Sequence, residues 1–156
     1  MQRYIKMRTK QNNSHFFLYY SRFAVPLHPQ NEIKMKDICC IGHVTKDKIV
    51  TPSSTVYMAG GTSFYFAYAI NQLPKDVSFS LITAMDPTEK EPVEKMLKAG
   101  IDVTLNPSRN TVFFENIYGN NPNDRKQRVL AKADPFTIQQ LEHVEAKVFH
   151  LGSLLS

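Results

Sequence analysis

Tryptophan is absent from this chain of 156 residues, and cysteine occurs only twice. Cys39 and Cys40 are adjacent and have no third thiol to pair with, which excludes a disulfide framework because neighbouring cysteines close only a strained ring. No CxxC and no Cys/His spacing is present, so a thiolate metal site is excluded as well. Set in the run Ile38-Cys39-Cys40-Ile41, the pair reads as small buried residues of a strand, and unpaired thiols of this kind fit a cytoplasmic compartment. Repeats and low-complexity segments are missing, and the nine prolines and six glycines are scattered, so neither a solenoid nor a disordered linker is indicated. Neither GxxxxGK nor GxGxxG occurs, which removes two common glycine-rich phosphate loops. What is there is 42% hydrophobic residues, enough for one α/β domain with a core.

The basic excess, a net charge of +5, is confined to the first 34 residues, where Arg3, Lys6, Arg8, Lys10, Arg22 and Lys34 face the single acid Glu32. A basic protein raises nucleic acid or an anionic membrane as partners. Residues 35–156 are balanced, however, so the body is neutral and neither partner is expected. The one apolar stretch of the segment, residues 15–27, is interrupted by Ser21 and Arg22, and is too short and polar to span a bilayer. It also lacks the uninterrupted apolar region of a secretory signal. The aromatic residues from His15 to Tyr20 offer stacking surfaces for bases, but no cationic residues interleave them. Residues 1–34 are therefore expected to be a basic extension without a fold, with Met35 the natural start of a domain over 35–156.

From Asp37 onward, short apolar runs alternate with helical stretches, the pattern of a layered α/β domain. Residues 38–41 read as a first buried strand. Residues 48–51 and 55–58, β-branched and separated by Pro52-Ser53-Ser54, predict a hairpin apart from the main sheet. Residues 62–73 place Phe66, Ala69, Ile70 and Leu73 on one helical face, ended by Pro74. A strand over 77–83 follows. The next helix is predicted to start at Asp86 as N-cap with Pro87 first and Glu89 reaching back, to end before Gly100, and to turn Val93, Met96 and Leu97 inward. Residues 101–105 predict a strand, and residues 111–118 and 128–131 an antiparallel pair. Asp134-Pro135 predicts a helix to about Val144 with Ile138 and Leu141 inward, before a last strand over 148–151. A strand of that kind needs neighbours and covering helices that the remaining five residues do not supply, so the sequence reads as though cut.

Two segments carry candidate chemistry. In Ile41-Gly42-His43-Val44-Thr45-Lys46-Asp47-Lys48-Ile49, a carboxylate follows a strand and a glycine. In Ala59-Gly60-Gly61-Thr62-Ser63-Phe64-Tyr65-Phe66-Ala67, a glycine pair opens a helix, which lets backbone approach a ligand and leaves first-turn N–H groups free to donate. Taken singly, these are a solvated turn aspartate and ordinary turn chemistry. Together, in this order, they resemble the PfkB/ribokinase family of carbohydrate kinases. The resemblance implies a ribokinase-like α/β fold with a small β lid hairpin, truncated, and substrate-binding roles for Asp47, Gly60 and Gly61. It implies ATP-dependent phosphoryl transfer to a hydroxyl of a sugar or nucleoside, ATP and Mg as cofactors of a full-length member, and a homodimer through the lid strands.

The sequence also departs from the family pattern. Tyr65 stands where an asparagine is usual, Pro74 where a small residue is usual, and Met85 in place of a glycine. No Gly-Ala-Gly-Asp stretch, which in the family carries the catalytic base and anion-stabilising amides, occurs anywhere. No catalytic residue and no metal ligand is therefore assigned, and the chain alone is expected to be inactive. The alternatives are a non-catalytic sugar-binding or dimerisation module, or a defective fragment. Among other polar residues, His43 and His150 end predicted strands, where ligands sit in doubly wound sheets, although lone histidines there are more often structural. Glu115 and Arg128 read as a surface ion pair, and Lys46 and Lys48 as solvating the hairpin.

Overall fold

The computed structural model describes residues 17–20, 23–26, 35–74, 76–121 and 123–155. The chain divides into two units, Met1–Lys34 and Met35–Ser156. In the first, β1 (Phe17–Tyr20) and β2 (Phe23–Pro26) pair antiparallel, with Tyr20 opposite Phe23. Regular structure was not expected there, and the rest of that segment lies outside the described residues.

The second unit holds two four-stranded sheets. In the main sheet β3 (Lys36–Ile41), β6 (Phe79–Met85), β7 (Val103–Pro107) and β10 (Ala146–Leu151) run parallel in the order β10-β3-β6-β7. Successive strand residues point to opposite faces, and the cysteine pair shows it. Cys40 joins Val44, Ala67, Leu81, Met96 and Ile101 in one core. Cys39 joins Ile41 and Ile82 in the other, against Phe136, Leu141 and Val144. Both thiols are free and buried, and burial pushes their pKa values up. At the start of the sheet Asp37 accepts from the Ser78 backbone N–H at 2.8 Å and from Lys147 Nζ at 2.6 Å, tying together the beginnings of β3, β6 and β10. Those donors hold its carboxyl well below the usual carboxylate range.

The second sheet is the lid. Its strands β4 (Thr45–Val50), β5 (Thr55–Gly60), β8 (Phe113–Tyr118) and β9 (Arg125–Ala131) lie in the order β5-β4-β8-β9. The predicted hairpin is present and longer than expected, with β4 and β5 antiparallel. β4 then pairs parallel to β8, and β8 antiparallel to β9.

The helices depart from expectation in instructive ways. α1 (Thr62–Ile70) lays Ser63 and Ala67, one turn apart, against the sheet, and these small side chains admit close approach while Phe64, Phe66 and Tyr68 fill the flanks. It stops at Asn71 rather than reaching Leu73. The helix predicted from Asp86 splits in two. Asp86 accepts from the Thr88 N–H at 2.8 Å and caps only the short 3-10 turn Pro87–Glu89, while α2 (Glu91–Lys98) begins anew. Pro92 accounts for the break: without an N–H it fits a helix's first turn and not the interior of a continuous helix. Val93 and Met96 are buried as expected, but Leu97 is 50% exposed. α3 (Ile138–Leu141) is one turn long and is capped not by Asp134 but by Thr137, whose N–H donates to Gln140 Oε1 at 2.8 Å. The Asp134 carboxylate instead accepts from Arg109 N and Arg109 Nε, each at 2.8 Å. Leu141 packs inward, whereas Ile138 is 78% exposed. Among the described residues no helix is long and apolar enough to cross a membrane.

Candidate acceptor-binding site

The three residues singled out in the sequence come together. In the β4–β5 register Thr45 lies opposite Gly60 and Asp47 opposite Met58, so strand alternation sets Thr45, Asp47 and Gly60 on one face of the lid. Thr45 Oγ1 donates to Asp47 Oδ1 at 2.7 Å. The other carboxylate oxygen turns onto Gly60: a Cβ built there falls 2.5 Å from Asp47 Oδ2 and 2.9 Å from its Cγ. Glycine at position 60 is thus a spatial requirement of the aspartate. Gly61 is required for a different reason. Its φ of 95° lies in the region that side chains avoid, and a Cβ would sit 2.7 Å from the His43 carbonyl oxygen. This backbone turn delivers the chain from β5 into α1, whose first helical bond runs from Tyr65 N–H to the Gly61 carbonyl at 3.2 Å.

Asp47 lines an open cleft of about 650 Å³ together with Ile49, Met58, Tyr65, Asn116 and Arg125. Tyr65, which stands where the family pattern has an asparagine, faces the same cleft as Asp47. Among the described residues Asp47 has no ion-pair partner, so Oδ2 is an acceptor available to a ligand. A fixed carboxylate beside apolar Ile49 and Met58 can take paired hydroxyl donors while a ring packs on the side chains.

Below the lid, the C-terminal ends of β3 and β10 are locked to α1. The Gly152 N–H donates to the Ile41 carbonyl at 2.9 Å, and the Ser153 N–H to Thr62 Oγ1 at 2.9 Å. His43 is buried and stacked on Phe136 with ring centroids 5.3 Å apart. Its Nδ1 accepts from the Leu155 N–H at 3.1 Å, which puts the ring proton on Nε2, and burial holds its pKa below the usual histidine value. His150 stacks on Phe66 at 3.9 Å. Both histidines are built into packing.

The lid's opposite face carries Lys46, Lys48, Glu115 and Arg128. Glu115 is buried, not a surface residue as expected, and accepts from Lys48 Nζ at 2.9 Å and Arg128 Nε at 2.8 Å. These cations, Lys48 first, pull its pKa down. Lys46 does not merely solvate the hairpin: it pairs with Glu89 and lies 5.2 Å from the centre of the Phe113 ring. Glu89, expected to reach back toward the Asp86 cap, is committed to that pair.

Sequence reasoning missed Thr45, Asn116 and Gln127. Thr45 was within reach, since period-two spacing on a strand puts it beside Asp47. The side-chain bond from Gln127 Nε2 to Asn116 Oδ1, 2.8 Å, depends on the β8–β9 register and on an irregularity at Phe113/Phe114 that no local pattern announces.

The glycine-rich phosphate loops and the Gly-Ala-Gly-Asp stretch are missing from the sequence, and the described residues contain no group of three His, Cys, Asp or Glu side chains that could hold a metal ion.

No family model matches the chain, and no curated protein matches it. Solved structures do. A pyrophosphate-dependent kinase in the ribokinase family, complexed with a pyrophosphate analog and myo-inositol, is 27% identical over 74% of this chain with a TM-score of 0.61. A sulfate complex of a pyrophosphate-dependent ribokinase-family kinase is 26% identical over 74% of this chain, with a TM-score of 0.61. A sugar kinase from Pyrococcus horikoshii in complex with ATP shares the fold at 17% identity over 66% of this chain, with a TM-score of 0.52. The chain spans 39%, 40% and 37% of these three structures, well under half of each. The main sheet with its lid is thus a part of the ribokinase-like α/β fold, and the resemblance to PfkB/ribokinase-family kinases holds in three dimensions.

Proposed function

We propose that this chain supplies the acceptor-binding part of a carbohydrate kinase, holding a polyhydroxylated small molecule (a sugar, a nucleoside or a cyclitol such as the inositol bound by one matched kinase) through Asp47 above the Gly60-Gly61 turn. The observation that carries this reading is the placement of the Asp47 carboxylate, with Oδ1 tied to Thr45 and Oδ2 in the space that glycine leaves open at position 60. A carboxylate held by one arm accepts a hydroxyl proton donor with the other, and a charge-assisted bond of this kind is roughly twice as strong as a neutral one. Gly61 sets the direction of α1, so that Tyr65 closes the same cleft.

Phosphoryl transfer requires positioned donor phosphates and stabilisation of their charge. The residues for that work are not found in these 156 residues, so the chain holds the acceptor and does not itself transfer phosphate. A homodimer through the lid fits the exposure of Tyr57, Val129 and Leu130 on its strands, and a cytoplasmic location fits two free, buried thiols.

Titration calorimetry of the full chain with myo-inositol, ribose and adenosine tests the reading, alongside the variant Asp47→Asn and a transfer assay with ATP or pyrophosphate and magnesium. Saturable binding of at least one compound, its loss in the variant and no phosphorylated product are expected. Equal binding by the variant, or sustained turnover by the chain, overturns the corresponding half of the proposal.

A further inference from the structure

We infer that Asn116, oriented by Gln127, is a specificity-determining hydrogen-bond donor for a second hydroxyl of the acceptor. The inference rests on the reading of Asp47 as an acceptor-binding residue.

The argument begins with register. Asp47 on β4 lies opposite Phe114 on β8, and Ile49 lies opposite Asn116. Asn116 is therefore two residues further along the neighbouring strand and on the same face as Asp47. Strand rise and spacing put their Cα atoms about 8 Å apart. A ring carrying several hydroxyls bridges side chains extending from two such positions.

Chemistry comes next. Asn116 is only 2% exposed, yet it lines the cleft with Asp47. Its directly opposed partner across β8–β9 is Gln127, whose Nε2 donates to Asn116 Oδ1 at 2.8 Å. That bond occupies the amide oxygen and fixes the amide plane, leaving Nδ2 to face away from Gln127 with no hydrogen-bond partner among the described residues. The cleft thus offers an anionic acceptor, Asp47 Oδ2, and a neutral donor, Asn116 Nδ2, separated by the apolar side chain of Ile49.

A polyol meets both demands: one hydroxyl donates its proton to Asp47, and the oxygen of another accepts from Asn116. A compound lacking the second hydroxyl, or presenting it on the wrong ring face, leaves a nearly buried amide unpaired. Sites built to bond a hydroxyl reject the analogue without it far more strongly than apolar pockets reject a missing methylene. Gln127 is a positioning residue, acting through Asn116.

The test uses the full chain and calorimetric dissociation constants for myo-inositol and ribose, together with their monodeoxy and monofluoro-deoxy analogues. Asn116→Leu keeps the size of the side chain but removes the donor. We expect it to weaken the best parent compound at least about 10-fold, while one monodeoxy analogue binds wild type and variant alike. Gln127→Glu turns the amide over, because a carboxylate can only accept from it. That variant should lose affinity for the one fluoro analogue whose fluorine accepts but cannot donate, and keep more of its affinity for the parent. Melting temperatures of both variants separate this from damage to the fold.

Uniform weakening of every analogue, or no change in selectivity in either variant, overturns the role of Asn116 while leaving Asp47 untouched. Unchanged binding in Asp47→Asn, or no binding of any compound by the wild-type chain, removes the underlying reading and this inference with it.

Discussion

Two neighbouring glycines should respond to the same substitution in opposite ways. At position 60 the backbone is not in the positive-φ region, so alanine is conformationally acceptable. Its Cβ would nevertheless lie 2.5 Å from Asp47 Oδ2, and restoring an ordinary contact means moving the carboxylate by roughly 1 Å. That shift breaks the 2.7 Å bond from Thr45, worth about 0.5–1.5 kcal/mol, partly offset by the roughly 0.4–1 kcal/mol gained when glycine's freedom is removed from the unfolded chain. Gly60→Ala should therefore leave the melting temperature within a few degrees of wild type. Loss of a hydrogen bond from the ligand to the displaced carboxylate, about 1.5–3 kcal/mol, weakens ligand affinity by roughly 10- to 150-fold. At position 61 the φ of 95° and the 2.7 Å approach to the His43 carbonyl put the strain in the backbone, where no flexible side chain can yield. Gly61→Ala should cost about 1–3 kcal/mol and lower the melting temperature by roughly 2–12 °C. Thermal unfolding and calorimetry on both variants decide the matter. A Gly60→Ala protein that binds normally, or a Gly61→Ala protein as stable as wild type, would show that the two glycines do not divide space and conformation in this way.

Three further outcomes are expected. Thr83 is fully buried and its Oγ1 accepts from the buried Val44 N–H at 2.9 Å, so Thr83→Val should cost about 1–3 kcal/mol in urea unfolding while Thr83→Ser restores most of it. His43 has a folded-state pKa depressed by burial, so the stability it contributes is complete above its ordinary value of 6.5 and is lost as pH falls below it. The melting temperature should drop between pH 7 and pH 5, and His43→Phe should flatten that fall. Among the described residues β10 pairs with β3 alone and exposes Val148 and Leu151, so sedimentation should show concentration-dependent self-association that Val148→Lys reduces without lowering thermal stability.

The strands were readable because their chemistry is local. The β-branched and apolar runs at Ile38, Ile49 and Leu81 mark buried or half-buried pleated surface wherever they pair, and Pro52-Ser53-Ser54 marks the turn between β4 and β5. Helix starts were less readable because the same residues have competing partners. Asp134 looks like a cap until Arg109 and Ser108, distant in sequence, arrive beside it, and Glu89 looks like a capping-box residue until Lys46 takes it. Pro92 was present in the sequence as a signal, but the stronger Asp86-Pro87 pattern masked it. The same division holds at the site. Asp47 and the glycine pair stood out by type and spacing, whereas Asn116 is an ordinary strand residue until the lid register sets it on the same face as Asp47.

The side-by-side thiols of β3 have a practical consequence. Cys39 and Cys40 are adjacent in the chain but sealed under different layers, one beneath α3 and the other beneath α1 and α2. A thiol reagent reaches each only when its own layer lifts, so the order in which the two become modified records which flank of the sheet opens first. The native chain thus carries its own two-channel reporter, with no label to be introduced.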